Sequence, residues 1–208
     1  MYPITSGTTS PETTPDDPQF SRILRLLRAA VDAEVPLFQI REKSLPARVL
    51  FELVAHAAEI ARGSKTRLLV NDRSDIARAA GADGVHLTTS SLPVEVVRDT
   101  FGEEFLIGAS THSLGEVRAA EVAGADFVVF GPVFETESKR AYGEPQGLGK
   151  LREVTREVGE FPVVAIGGIT TENVGECFDA GARGVAAIGM LNDIENMSSI
   201  VRAIRSKL

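Results

Sequence analysis

Eight short runs of aliphatic and β-branched residues recur along the chain, each followed by a longer segment whose apolar residues stand three and four apart. The runs are 2–5, 37–41, 68–70, 85–87, 105–109, 127–131, 162–167 and 184–189. The segments with helical spacing are 20–34, 47–62, 74–80, 93–101, 114–123, 147–158, 171–180 and 196–207. Unbroken apolar runs such as 127–130 suit strands buried on both faces, and regular alternation with helices predicts parallel strands joined by crossovers. An internal repeat supports this reading. AlaGlyAlaAsp (80–83), AlaGlyAlaAsp (123–126) and AlaGlyAlaArg (180–183) stand just before the fourth, sixth and eighth runs, and glycine suits a helix that ends in a left-handed residue. Eight strand-helix units predict an α/β protein, a single (β/α)8 TIM barrel over residues 1–208, in preference to an open doubly wound sheet.

Composition narrows the function. The 208 residues are 43% hydrophobic and 25% charged, as in an ordinary globular protein. A formal charge of −7 has the wrong sign for non-specific attraction to nucleic acid, so any anionic ligand must be held by a local cluster. No apolar run approaches the roughly 20 residues that span a bilayer, and the start of the chain does not read as a signal sequence, so the expectation is a soluble cytoplasmic protein without membrane partners. Cys177, the single cysteine, reads as a packed helix residue.

In a parallel barrel the loops after the strands form the catalytic face, which makes polar residues at strand ends informative. Gln39, Arg41 and Lys43 are spaced by two and share one face of the second run, leaving Phe38 and Ile40 for the helices. Two cations directed into the barrel mouth call for an anion between them, the alternative being a solvated charged turn. The third run ends in Asn71, Asp72 and Arg73, where Asp72 is placed either to hold a divalent metal beside substrate phosphates or to cap the next helix. SerThrHisSer (110–113) presents a hydroxyl and an imidazole to a ligand or caps the following helix. Thr136, Ser138 and Lys139 follow the sixth run on a segment with Gly143, Gly147 and Gly149, the make-up of a lid over a phosphorylated substrate. Gly167 and Gly168, after the seventh run, and Gly189, after the eighth, suit backbone contacts to phosphate. His56 reads as packing or surface, and His86 as core or mouth. There is no metal-binding histidine spacing, GxSxG elbow or P-loop.

GlnIleArgGluLys (39–43), ValAsnAspArg (70–73), AlaAspGlyValHisLeu (82–87), ThrGluSerLys (136–139) and AlaIleGlyGlyIle (165–169) occur in the order seen in thiamine-phosphate synthases. The chain resembles that family and its relative TenI from end to end. The resemblance implies a barrel enzyme of thiamine biosynthesis that joins a pyrimidine pyrophosphate to a thiazole phosphate and releases pyrophosphate. It implies phosphorylated small-molecule substrates, no nucleic acid, and allows a homodimer. By position, Gln39 and Ser110 would contact the pyrimidine end, and Arg41, Lys43, Asn71 and Lys139 the pyrophosphate. Asp72 would be a magnesium ligand. Thr136, Ser138, Gly168 and the Gly189 backbone would hold the thiazole phosphate. Arg41, Lys43, Lys139 and Ser110 would carry the chemistry.

Three departures leave the activity open. Ser91 stands where a second magnesium carboxylate is expected, and Gly189 replaces a serine; both substitutions, with SerLeuPro (91–93), resemble TenI. The histidine that TenI thiazole tautomerases carry after the sixth strand is here Pro132, as in synthases. The synthase is the favoured reading. A thiazole tautomerase is the alternative, and a non-catalytic regulator binding a thiazole or thiamine phosphate is the third.

Overall fold

The computed structural model describes residues 1–136 and 144–208. Residues 1–86 with 188–201 form one compact unit, and 87–187 with 202–208 a second. The first unit holds β1 (Tyr2–Pro3), α1 (Pro18–Asp32), β2 (Leu37–Ile40), α2 (Ala47–Ala61), β3 (Arg67–Asn71), α3 (Ser74–Ala79), most of β4 (Gly84–Leu87) and a 3-10 turn at Met190–Asn192. The second holds α4 (Val94–Phe101), β5 (Leu106–Thr111), α5 (Leu114–Val122), β6 (Phe127–Phe130), α6 (Gly147–Val158), β7 (Val163–Ile166), α7 (Val174–Asp179) and β8 (Gly184–Ala187); α8 (Met197–Arg205) closes the chain. The strands belong to one eight-stranded sheet, and the fold class is the expected (β/α)8 barrel.

Pairing is parallel and in step. In the first unit Leu37 to Ile40 pair with Arg67 to Val70, Leu69 with Gly84, and Ile4 bridges Gln39. In the second, Gly108 pairs with Phe127, Val128 with Val163 and Val164 with Gly184. The core follows the periodicity. On α1 the buried residues are Phe20, Ile23, Leu26, Leu27 and Ala30, and on α2 they are Leu50, Leu53, Val54, Ala57 and Ala61, one stripe on each helix. Each large aliphatic side chain so buried contributes roughly 2 kcal/mol. Among the described residues no helix is long and apolar enough to cross a membrane.

The repeated tetrapeptide is one structural device used three times. Gly81, Gly124 and Gly181 all take a left-handed φ, of 79°, 92° and 91°. The following Ala82, Ala125 and Ala182 donate back to the helix carbonyls of Ala77, Ala120 and Cys177, and the fourth residue donates to the preceding strand, Asp83 to Leu68, Asp126 to Ile107 and Arg183 to Val163. Asp83 and Asp126 also return a carboxylate bond to the amides of Leu68 and Ile107. The turn thereby stops the helix and sets the register of the next strand at once.

Most element ends shift by one to three residues from the periodicity, and two of these shifts have a plain local setting. β2 stops at Ile40, so the face shared by Gln39, Arg41 and Lys43 does not extend to Lys43, which lies exposed in a turn closed by Leu45 N–H donating to Glu42. α7 starts at Val174 rather than 171 because Thr170 and Asn173 exchange side-chain-to-backbone bonds and hold 170–173 as a turn.

Candidate active site

In the first unit the ends of β2 and β3 carry a chain of polar side chains. Gln39, only 1% exposed, donates through Nε2 to Asn71 Oδ1 at 3.1 Å, and Asn71 Nδ2 donates to Asp72 Oδ2 at 2.6 Å. Asn71 is held by β3, whereas Asp72 lies just beyond it with a φ of +59°. A left-handed aspartate is uncommon and costs on the order of 1 kcal/mol, a strain associated with functional sites. The backbone holds it there, with Asp72 N–H donating to His86 O and Ser74 N–H to Asp72 O. The N-cap position of α3 is Arg73, whose side chain pairs with Asp75. Gln39 Oε1 is buried and accepts no hydrogen bond among the described residues.

Arg41 is half-buried next to this chain, its N–H donating to Thr5 Oγ1 at 2.8 Å while Thr5 N–H donates to Gln39 O. His86, fully buried on β4, packs its ring on Tyr2 at 5.9 Å. Burial pushes its pKa down to about 4, with the negative Asp72 opposing and the positive Arg41 reinforcing the shift, so the imidazole is neutral at pH 7. His86 is thus a core residue lying within electrostatic reach of both charged site residues. The exposed His56 packs edge-on against Phe20.

In the second unit the loops after β6 and β7 are joined by backbone bonds. Val133 N–H donates to Ile166 O and Phe134 N–H to Gly167 O. Gly167 and Gly168 have φ of +101° and +64°, and a Cβ on Gly168 would collide with the Glu135 carbonyl and with Phe134. Gly168 therefore lies directly against the backbone that leads into the half-buried Thr136. Asn173 Nδ2 fixes the loop further by donating to Gly168 O. Ser110 is half-buried and lies within β5, opposite Val129. Ser113 caps α5 by accepting from Glu116 N–H, and Glu116 accepts from the His112 backbone, so His112 and Ser113 serve the helix end. Ser91 Oγ accepts from Thr88 N–H at 2.6 Å. Ser138, Lys139 and Gly143 lie outside the described residues.

A family model described as thiamine monophosphate synthase matches residues 12–191. The chain belongs to the thiamine monophosphate synthase family. It is 40% identical over 182 residues to the thiamine-phosphate synthase of Moorella thermoacetica, covering 88% of this chain and 86% of that one. Over 209 residues it is 34% identical to the thiamine-phosphate synthase of Haloarcula marismortui, covering 99% and 95%. Its structure is similar to thiamine phosphate pyrophosphorylase from Pyrococcus furiosus, with a TM-score of 0.82 at 31% identity over 99% of this chain and 93% of that one.

Within this synthase-family chain, sequence reasoning passed over Glu42 and the loop after β1. Glu42 is 3% exposed and accepts from Gly7 N–H, Thr9 N–H and Thr9 Oγ1. The available signal was alternation, which puts Glu42 with Phe38 and Ile40 on the apolar face, where an acid needs a partner. Asn192, after β8, was also missed; it donates to the carbonyls of Ile4 and Ile188. Gly189 has an ordinary φ of −63° and open space where its Cβ would stand, so its backbone conformation does not demand glycine.

Proposed function

We propose that this chain couples a pyrimidine pyrophosphate to a thiazole phosphate and releases pyrophosphate, a reading supported by relatives named thiamine-phosphate synthase. The observation that carries this reading is the hydrogen-bonded Gln39–Asn71–Asp72 chain beside Arg41, running from buried Gln39 to half-buried Asp72, in a member of the synthase family. The bond from the pyrimidine methylene to pyrophosphate oxygen breaks, leaving its electron pair on pyrophosphate. The thiazole nitrogen then supplies the pair for the new C–N bond. In this assignment Gln39 Oε1, an acceptor without a partner among the described residues, receives a donor on the pyrimidine. Arg41 meets the leaving pyrophosphate with Lys43, Asn71 and Lys139, stabilising charge that grows as the bond breaks. Ser110 contacts the pyrimidine end. Thr136, Ser138, Gly168 and the Gly189 backbone hold the thiazole phosphate.

The described residues contain no group of three or more His, Cys, Asp or Glu side chains suited to a metal. One carboxylate, Asp72, nevertheless suits a magnesium ion that takes most of its ligands from water and pyrophosphate. Ser91 has a turn to close and brings no charge. Bound magnesium would supply counter-charge to pyrophosphate. The chain's own contribution is the orientation of Asp72 by Asn71. A cytoplasmic location and a homodimer accord with this reading.

Incubating the purified protein with both substrates and magnesium, and following pyrophosphate and thiamine phosphate, tests it. Arg41→Ala should lower kcat about 100-fold or more with little change in Tm, because a cation on a leaving group acts mainly in the transition state. Isomerisation of the thiazole without coupling would select the tautomerase. Saturable binding without turnover would select the regulator.

A further inference from the structure

The arginine at the end of β2 is followed by an acid that is more buried than it is. Glu42, two residues beyond the end of β2, lies at 3% exposure, and both of its oxygens are engaged by one loop. Oε1 accepts from Gly7 N–H at 3.2 Å, while Oε2 accepts from Thr9 N–H at 3.2 Å and Thr9 Oγ1 at 2.7 Å. Thr9 is itself buried, at 7% exposure. The loop held in this way passes over Arg41. Gly7 is left-handed, with φ +69°, and a Cβ there would stand 3.5 Å from Arg41 O and 3.6 Å from its Nη1. Two residues earlier, Thr5 Oγ1 accepts from Arg41 N–H. The arginine is therefore flanked by loop backbone whose position depends on the neighbouring carboxylate.

We infer that Glu42 is a positioning residue for anion recognition: it holds the Gly7–Thr9 backbone against Arg41 and so sets the orientation in which that guanidinium meets pyrophosphate. The inference rests on the functional reading above. It differs from an electrostatic role in sign. A carboxylate acting only through its charge would weaken anion binding, so neutralising it should tighten pyrophosphate. If Glu42 acts by position, neutralising it should loosen pyrophosphate. Glu42→Gln is nearly isosteric, but its amide nitrogen cannot accept from an N–H, so part of the loop is released.

The experiment is calorimetric titration of wild type, Glu42→Gln and Thr9→Val with inorganic pyrophosphate and, separately, with thiazole phosphate, both with magnesium present, alongside Tm. Glu42→Gln should weaken pyrophosphate about tenfold, the worth of roughly one hydrogen bond, and leave thiazole phosphate unchanged. Thr9→Val, which removes one donor and keeps the acid, should give a smaller loss of the same selectivity. If Glu42→Gln does not fold, Thr9→Val is read by the same criteria. Unchanged or tighter pyrophosphate binding overturns the inference, as does an equal loss for both ligands, the mark of a merely structural residue. Wild type that fails to bind pyrophosphate overturns the functional reading itself, whereas wild type that binds it while Glu42→Gln binds equally well overturns only the role of Glu42.

Discussion

Gly168 and Gly189, both assigned to phosphate by their positions after strands, differ in why they are glycine. Gly168 is left-handed, and a methyl group there would strike the backbone of the preceding loop. Gly168→Ala should therefore cost about 2 kcal/mol of stability from strain and displacement together. Gly189 meets neither constraint. Gly189→Ser should change stability by less than about 0.5 kcal/mol and add a hydroxyl for phosphate, so urea denaturation should show a loss for Gly168→Ala alone, and titration should show tighter thiazole phosphate for Gly189→Ser. Sequence position alone made the two glycines look equivalent. Steric surroundings and φ separate them.

The Ala-Gly-Ala-Asp turn couples helix to strand in both units, yet its surroundings give it different strengths. In the second unit Arg98, 9% exposed, donates to the carbonyls of Gly102, Phe105 and Gly124 and to Asp126, tying the end of α4 to the start of β5 and to the turn before β6. In the first unit Arg67 reaches Asp83 with a side chain that is 68% exposed. Arg98→Ala removes the buried bond to Phe105 O together with the part-buried bonds to Gly124 O and Asp126, and should cost about 3 kcal/mol. Arg67→Ala removes a solvated pair and should cost less than about 1 kcal/mol. Comparing the denaturation midpoints of the two variants checks this, and similar losses would refute the distinction. The repeat was legible in the sequence because each copy is local. The Arg98 cluster was not, since it gathers carbonyls between residues 102 and 124 that no periodicity connects.

For the whole molecule, His86 links acidity to stability. Its folded pKa lies near 4 because burial disfavours the imidazolium, against 6.5 for an unperturbed histidine. Between those values the unfolded chain binds the proton and the folded chain does not, so stability rises with pH through that interval and is lost as pH falls below 6.5. The loss from this one group should reach about 2 kcal/mol by pH 5. His86→Gln should remove that part of the pH dependence. Urea titrations of wild type and variant at pH 7 and pH 5 give the comparison, and an identical pH slope in both would refute it.

Periodicity along the chain was enough to determine the alternation of strands and helices among the described residues, because helix and strand periods are written by neighbours a few residues apart. The repeated glycines marked where helices turn into strands, since a left-handed residue is a local demand. Short motifs in order identified the family. The tertiary structure decided which polar residues meet. Gln39 and Asn71 lie 32 positions apart, and Glu42 lies 35 from Gly7, so their hydrogen bonds depend on strand adjacency and loop path. It also decided that β2 ends at Ile40, which removes Lys43 from the strand face it would share by alternation. Burial had the same origin: only packing by the completed fold takes Glu42 and His86 out of water, and that makes the first a backbone clamp and the second a neutral imidazole.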